Sequence, residues 1–123
     1  MSFADSLSTM DEGCERAILV GIQLKGDDAS TLTSSLEELA RLTDTAGAEV
    51  VATTYQKLDA PNPRTFVGSG KAEEIAEMCH AYAADIVFFD DELTPSQQSN
   101  LEKAVPKDVK VIDRTALILD IFA

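Results

Sequence analysis

DIVFFDDELTPSQQSNLEKAVPKDVKVIDRT, the stretch formed by residues 85–115, decides the fold of this chain because it holds two strand patterns on either side of a short helix pattern. The first strand pattern, from Ile86 to Phe89, is apolar without alternation, which is typical of a strand buried on both faces of a parallel sheet. The second begins at Val109 and closes at Asp113. Strand, helix and strand within about thirty residues predict a βαβ unit.

The helix of this unit has a recognisable start. The Thr94 hydroxyl can accept a hydrogen bond from the amide of Gln97, and Pro95 fills a first-turn position that needs no donor. Pro106 marks its end, because a proline cannot continue the backbone hydrogen bonds of a helix.

The rest of the chain repeats this alternation of apolar strand patterns and amphipathic helix patterns. Right-handed crossovers between parallel strands then favour the strand order 2-1-3-4, with the first strand central and the second towards an edge. We therefore predict an α/β fold, a four-stranded mainly parallel sheet flanked by helices in the order βαβαβαβ. The predicted strands lie near 17–24, 48–55, 85–90 and 109–113, and the predicted helices near 29–46, 70–84 and 95–104.

Composition narrows the function classes. Lys and Arg total 10 against 22 Asp and Glu, and the resulting net charge of -12 disfavours a free-standing nucleic-acid binder. The cysteines, Cys14 and Cys79, are too few for a disulfide framework and lack the spacing of metal ligands. With no apolar run of about 18 residues and no signal-peptide pattern, the chain is expected to be soluble and cytoplasmic.

Two parts are expected. Residues 1–15 have too little periodicity for a packed element and are predicted to be a flexible tail, whereas residues 16–123 form the α/β unit. The run from Leu117 to Phe122 is expected to be helical, with apolar residues on several sides and no C-cap. We expect more structure to follow it, and an exposed terminal helix of this kind favours self-association.

The sequence Gly68-Ser69-Gly70-Lys71 invites comparison with a phosphate-binding loop. That motif needs a glycine five positions before its last glycine and a Ser or Thr after its lysine, but Thr65 and Ala72 stand there. A helix start with glycines can still bind an anion weakly. The preferred interpretation of this segment is a turn that needs positive φ, with Ser69 or Gly70 capping the helix.

The segment from Lys57 to Lys71 is locally positive on an acidic chain, because it holds three cations against Asp59. Its two prolines limit its freedom, and its glycines let backbone amides approach a phosphate. We predict that this loop contacts an anion, a nucleotide or RNA. The predicted contact residues are Lys57, Arg64, Gly68, Gly70 and Lys71.

Acidic residues follow the third strand at Asp90, Asp91 and Glu92, and Asp113 is predicted at the same edge of the sheet. Phosphoacceptor receiver domains have a similar arrangement, but they also need an acidic pair after the first strand and a lysine after the last. Both are absent. Exposed helix-capping acids are the preferred interpretation of residues 90–92.

Other candidates for chemistry are weak. Asp113 and Arg114, followed by the capping residue Thr115, are predicted to lock a strand-to-helix turn. Cys79 and His80 are neighbours on one helix, so their side chains diverge, and a packed cysteine beside a surface histidine is expected. We predict no catalytic residue and no metal site.

Several longer motifs follow one another in order, namely TFVGSGK at 65–71, DDELTP at 90–95, QQ at 97–98, NLE at 100–102 and VIDRTALILDIF at 111–122. Together they resemble the motifs of the HflX family of ribosome-associated GTPases, and the likeness covers residues 16–123. The residues that carry the family motifs are Asp91, Pro95, Gln97, Asn100, Asp113, Arg114 and Thr115.

The resemblance implies that this chain is the first subdomain of an N-terminal HflX domain, without the helical hairpin and GTP-binding domain that follow in the family. It implies that the full-length protein binds the large ribosomal subunit and its RNA, separates or rescues stalled ribosomes, and hydrolyses GTP with magnesium. ATP binding by the N-terminal region is ascribed to some members. The fragment is then a binding or regulatory module without a cofactor or GTPase site. The alternatives are a small nucleotide- or phosphate-binding module using Gly68 to Lys71, and a protein-binding signalling or adaptor domain.

Overall fold

A computed structural model describes residues 14–122, and strands alternate with helices throughout. The strands are β1 (Arg16–Leu24), β2 (Glu49–Leu58), β3 (Ile86–Phe89) and β4 (Lys110–Asp113). The helices are α1 (Ala29–Thr45), α2 (Ser69–Ala81), α3 (Pro95–Ala104) and α4 (Arg114–Phe122). The predicted α/β fold is confirmed.

The four strands form one sheet in the order β2-β1-β3-β4, and all three pairings are parallel. The register places Val20 beside Phe89, and Phe89 beside Asp113. This is the predicted order, with β1 central and β2 at an edge. Because the strands are parallel, their carboxyl ends, and the loops that follow them, meet at one edge of the sheet.

Two predicted boundaries are wrong. β2 continues past Tyr55 to Leu58, because its last residues pair with the end of β1, Leu24 opposite Leu58. α2 ends at Ala81 and not near residue 84, since Ala83 has a left-handed backbone with φ 53°.

The core lies on both faces of the sheet, which explains the apolar runs without alternation. On one face, Ile18 and Val87 pack with Ile75 of α2 and Leu101 of α3. On the other face, the neighbouring strand residues pack against α1 and α4 in a second cluster. Its buried members are Ala17, Leu19, Leu39, Ala46, Ala48, Ile86, Phe88 and Leu117.

α1 crosses the sheet closely at Gly21. A Cβ atom placed on this residue would lie 2.9 Å from Cδ1 of Leu32 and 3.1 Å from Cδ2 of Leu36. The absence of a side chain on β1 therefore sets how near α1 approaches the central strand.

The helix ends follow the sequence signals. The predicted capping box of α3 is confirmed, because the Thr94 side chain accepts from the Gln97 amide while Gln97 accepts from the Thr94 amide. Asp28 caps α1 by accepting from Ser30, and Gly47 follows that helix with φ 90°.

α4 contains the terminal apolar run, which is helical as expected. Leu117 is buried in the core, whereas the side chains of Leu119 and Phe122 are 65% and 78% exposed. Part of this helix is thus already packed on the sheet, and part faces solvent.

Of the tail predicted for residues 1–15, residues 1–13 lie outside the described part of the chain. At its end, the Glu15 carboxylate pairs with Lys110 at 3.0 Å, and its carbonyl accepts from the Glu49 amide. Among the described helices, none combines the length and apolar character that crossing a membrane requires.

A valine at position 21 tests the close packing of α1. Gly21→Val should lower the free energy of unfolding by about 1–3 kcal/mol, because the new methyl groups overpack the contact with Leu32 and Leu36. Urea unfolding measures the change. The matched control is Gly70→Ala, where a Cβ meets nothing within 4 Å and the helix should gain about 0.5–1 kcal/mol. Equal effects of the two substitutions would contradict this account.

Candidate functional site

Asp113 connects two loops at the carboxyl edge of the sheet. Its Oδ1 accepts from the Ala116 amide at 2.8 Å and so caps the start of α4, and the prediction that Thr115 is the capping residue is wrong because α4 already begins at Arg114. Its Oδ2 accepts from the Leu93 amide at 2.9 Å, in the loop between β3 and α3. One carboxylate therefore fixes both the turn into α4 and the approach to α3.

Arg114 joins three elements. Its Nη1 lies 2.7 Å from Oδ1 of Asp90, at the end of β3, and 3.4 Å from Oγ of Ser35 on α1. Its Nη2 forms an ion pair with Glu38, also on α1. The guanidinium thereby ties the first residue of α4 to α1 and to the central part of the sheet.

The prediction that residues 90–92 are exposed is wrong for Asp90. Its side chain is 6% exposed, whereas Asp91 and Glu92 face solvent. The reason is the Arg114 guanidinium, which supplies the opposite charge that a buried carboxylate needs.

Burial raises the pKa of Asp90, with an opposing effect from the Ser35 hydroxyl and a further rise from the neighbouring Asp91. The pKa of Asp91 is raised as well, because the surrounding protein removes part of the water near this exposed carboxylate. The Asp90 carboxylate already contacts Arg114, so this cluster is a structural joint and not an open site for a ligand.

The loop between β2 and α2 is folded tightly on itself. Asn62 and Phe66 exchange backbone hydrogen bonds of 2.9 and 2.8 Å. The Asn62 side-chain oxygen also accepts from the amides of Arg64 at 2.8 Å and Thr65 at 3.3 Å. This pattern turns the chain sharply and places Arg64 at the outside of the turn.

The positive φ expected within Gly68 to Lys71 occurs instead at Phe66, with φ 66°. This conformation is unusual for a bulky residue, and the ring is buried edge-on against Phe89 with 5.8 Å between centroids. Packing of the ring in the core compensates for the unfavourable backbone.

Gly68 does not have the positive φ that was predicted for this segment. It is the N-cap of α2 with φ -64° and no side-chain cap, so neither Ser69 nor Gly70 caps the helix. Its amide donates to Oε1 of Gln56 at 2.8 Å, and a Cβ would lie 3.3 Å from Nε2 of that side chain. Space beside Gln56, and not backbone freedom, explains this glycine.

The predicted cations have different surroundings. Lys57 lines an open groove of about 580 Å³ with Lys25, a residue that the sequence reasoning did not include. Lys25 could have been found from the sequence. It directly follows β1, Lys57 lies near the end of β2, and the carboxyl ends of parallel strands meet at one edge of the sheet. The Lys71 side chain is 13% exposed and its Nζ lies 2.8 Å from Glu74. Arg64 is exposed, and within residues 14–122 no carboxylate pairs with it.

Two of the family-motif residues hold the Arg64 loop from outside. Nε2 of Gln97 donates to the Asn62 carbonyl at 2.8 Å, and Nδ2 of Asn100 donates to the Arg64 carbonyl at 3.0 Å. Sequence reasoning did not identify these acceptors, because they lie 35 and 36 residues earlier in the chain. Of the other motif residues, Pro95 opens α3, and Asp91 and Thr115 are exposed.

Cysteine, histidine and acidic residues were the remaining candidates for chemistry. Cys79 is buried, which raises the pKa of its thiol, and His80 is exposed, as expected. In the part of the chain that the structure describes, no group of His, Cys, Asp or Glu is arranged to hold a metal ion.

Comparison with known proteins gives consistent matches. The sequence model of a family described as GTP-binding GTPase N-terminal matches residues 33–123. The GTPase HflX of Flavobacterium psychrophilum is 50% identical over 109 residues, which are 89% of this chain and 26% of the relative. The GTPase HflX of Escherichia coli (strain K12) is 44% identical over 109 residues, 89% of this chain and 24% of the relative.

A solved structure shows the same fold. It is a GTP-binding protein from the hyperthermophilic archaeon Sulfolobus solfataricus in complex with GDP, with a TM-score of 0.64 and 21% identity. The match covers 89% of this chain and 30% of that one. The chain thus spans about a quarter of the length of the HflX relatives that it matches.

Removal of the Arg114 guanidinium tests the buried joint. Arg114→Ala should lower the free energy of unfolding at neutral pH by about 3 kcal/mol, because Asp90 is left buried without a counter-charge. Burial raises the pKa of Asp90, and loss of the guanidinium raises it further, so this loss is complete above the folded pKa of Asp90 in the variant and shrinks as the pH falls from there towards the lower folded pKa of the parent.

Urea unfolding at neutral and mildly acidic pH measures both effects. Arg41→Ala removes an exposed cation of α1 and is the control, with an expected change of no more than about 0.5 kcal/mol. A deficit of Arg114→Ala that does not change with pH would show that Asp90 is not its cause.

Proposed function

The chain belongs to the HflX family, as the N-terminal region of its members, and from this membership we propose that it is the ribosome-binding module of a longer GTP-hydrolysing protein. The longer protein binds the large ribosomal subunit in the cytoplasm and separates or rescues stalled ribosomes. GTP and magnesium bind to its remaining part, and this chain contributes contact with the subunit.

The observation that carries the proposal is the exposure of the Arg64 side chain. Its guanidinium is exposed at the outside of a hydrogen-bonded turn and is not paired with a carboxylate of residues 14–122. A planar guanidinium suits a phosphate group, since it can donate two parallel hydrogen bonds. On a chain of net charge -12, most of the surface repels RNA, so contact is favoured at this loop.

Lys57 belongs to the same proposed surface. It lies near the end of β2 and lines the groove that also contains Lys25. Asp27 and Asp59 line this groove too, so its net charge is small. We therefore assign Lys57 a supporting role and Arg64 the main phosphate contact.

A nucleotide- or phosphate-binding module at Gly68 to Lys71 is less well supported. The Gly68 amide donates to Gln56, and the Lys71 ammonium pairs with Glu74. A phosphate at the start of α2 would have to displace both partners. The glycines and Lys71 thus serve the start of α2 in this proposal, and Arg64 serves the partner.

Protein contact is proposed for α4. The exposed side chains of Leu119 and Phe122 give this helix an apolar outer surface, which suits packing against the remaining part of the same protein. Arg114 fixes the direction of α4 at its first residue, and with it the position of this surface.

Loss of the guanidinium tests the ribosomal contact. In the full-length protein, Arg64→Ala should weaken binding to purified large ribosomal subunits and lower the slope of log affinity against log salt concentration by about one. Co-sedimentation at several salt concentrations gives both values. The control, Lys107→Ala, removes the same charge from an exposed position outside the loop. Equal weakening by both variants, or a loss explained by a lower melting temperature, would contradict the proposal.

A second test asks whether GTP hydrolysis belongs to the remaining part of the longer protein and not to this chain. The chain of 123 residues should show no GTP hydrolysis above a protein-free reaction, because the phosphate cradle and the metal-binding hydroxyl that phosphoryl transfer needs are absent from the Gly68 segment. Phosphate release measures turnover. Hydrolysis that grows in proportion to the concentration of the purified chain would sink this assignment.

A further inference from the structure

The turn that carries Arg64 depends on contacts from outside itself. Phe66 holds a left-handed backbone that a bulky residue rarely adopts, and such a conformation persists only where the surroundings determine it. The amides of residues 64 to 67 all bond within the loop, to Asn62 or Thr65. The carbonyls of Asn62 and Arg64 also accept hydrogen bonds from side chains of α3, although the Asn62 carbonyl accepts from the Phe66 amide within the loop as well.

Gln97 is a rigid donor for this purpose. Its side chain is 6% exposed, its Oε1 accepts from the Thr94 amide at 2.9 Å, and its Nε2 donates to the Asn62 carbonyl at 2.8 Å. Since both ends of the amide group are bonded, the side chain has no freedom to follow a moving loop. It thus sets the position of the loop relative to α3.

Asn100 completes the attachment one turn further along the same face of α3. Its Nδ2 donates at 3.0 Å to the carbonyl of Arg64 itself. The backbone of Arg64 is therefore bonded on both sides: its carbonyl accepts from α3, and its amide donates to the Asn62 side chain.

We infer that Gln97 and Asn100 are positioning residues, which hold the Arg64 backbone so that its guanidinium is presented to an RNA phosphate in one orientation. The inference rests on the proposed function. A contact group held in its bound orientation loses less conformational freedom on binding, which raises affinity without any new contact.

The chain provides a matched control on the same helix. Nε2 of Gln98 donates to the Val111 carbonyl at 2.6 Å, which is the same kind of bond from α3 but to a strand. Gln98→Ala and Asn100→Ala each remove one amide-to-carbonyl bond. Only Asn100→Ala removes a bond to the Arg64 loop.

Amide hydrogen exchange tests the positioning without any binding partner. Asn100→Ala should speed exchange at residues 64–67 by about tenfold, the upper effect of one lost hydrogen bond of ordinary strength, and Gln98→Ala should leave these amides unchanged. Asn100→Asp, which keeps the size but replaces the donor, should act like Asn100→Ala. Equal exchange at residues 64–67 in all three variants and the parent would overturn the inference.

A double-substitution cycle tests whether the positioning acts through Arg64. In the full-length protein, Asn100→Ala should weaken binding to large ribosomal subunits several-fold, and Gln98→Ala should not. In the Arg64→Ala background, Asn100→Ala should cause no further loss, because the group that it positions is gone. Full additivity would refute positioning through Arg64. If Arg64→Ala itself has no effect on binding, the proposed function fails, while the exchange measurement still decides whether Asn100 orders the loop.

Discussion

The Asp113 carboxylate is the constraint on which the carboxyl edge of this sheet depends. It accepts hydrogen bonds from the amides of Leu93 and Ala116. It thereby fixes the loop before α3 and the turn into α4, although these two connections are far apart in the sequence. Leu93 precedes the N-cap of α3, and α3 in turn holds the loop before α2 through Gln97. Three separate loops thus take their positions from one chain of hydrogen bonds.

Electrostatics works differently at the two arginines of this edge. Arg114 forms ion pairs with Asp90 and Glu38 of the same chain, and these pairs connect α4 to α1. Arg64 has its backbone fastened and its charge left exposed. The same residue type therefore serves architecture in one place and is available for recognition in the other, and only the surroundings distinguish the two.

The sequence was sufficient for the parts that depend on local pattern. The apolar run of β3 and the capping box at Thr94 predicted the elements, and the alternation of strands and helices predicted the topology. The errors have long-range causes. Asp90 is buried because Arg114, distant in sequence, compensates its charge, and no local pattern shows such a partner.

The candidate site was proposed from the sequence as a segment, whereas the contacts within that segment could not be predicted. Charge contrast along the chain pointed to the Lys57 to Lys71 loop, and the family resemblance supplied the importance of Gln97 and Asn100. Which cation is available depends on contacts that only the folded chain creates: Lys71 finds Glu74, whereas Arg64 finds no carboxylate within residues 14–122. The role of Gly68 likewise depends on Gln56, which pairing of β2 beyond Tyr55 brings beside it.

Because β2 lies at the edge of the sheet, the net charge of the chain affects how readily two copies can meet along this strand. The outer side of this strand has no neighbouring strand in the described part of the sheet, and its residues from Val50 to Gln56 carry no charge. Such an uncharged, β-prone edge can pair with the edge of another copy. The net charge of -12 opposes that encounter by mutual repulsion, and salt screens the repulsion beyond a Debye length of about 8 Å at physiological ionic strength. The excess of carboxylates is therefore expected to keep the β2 edges of two copies apart most effectively at low ionic strength.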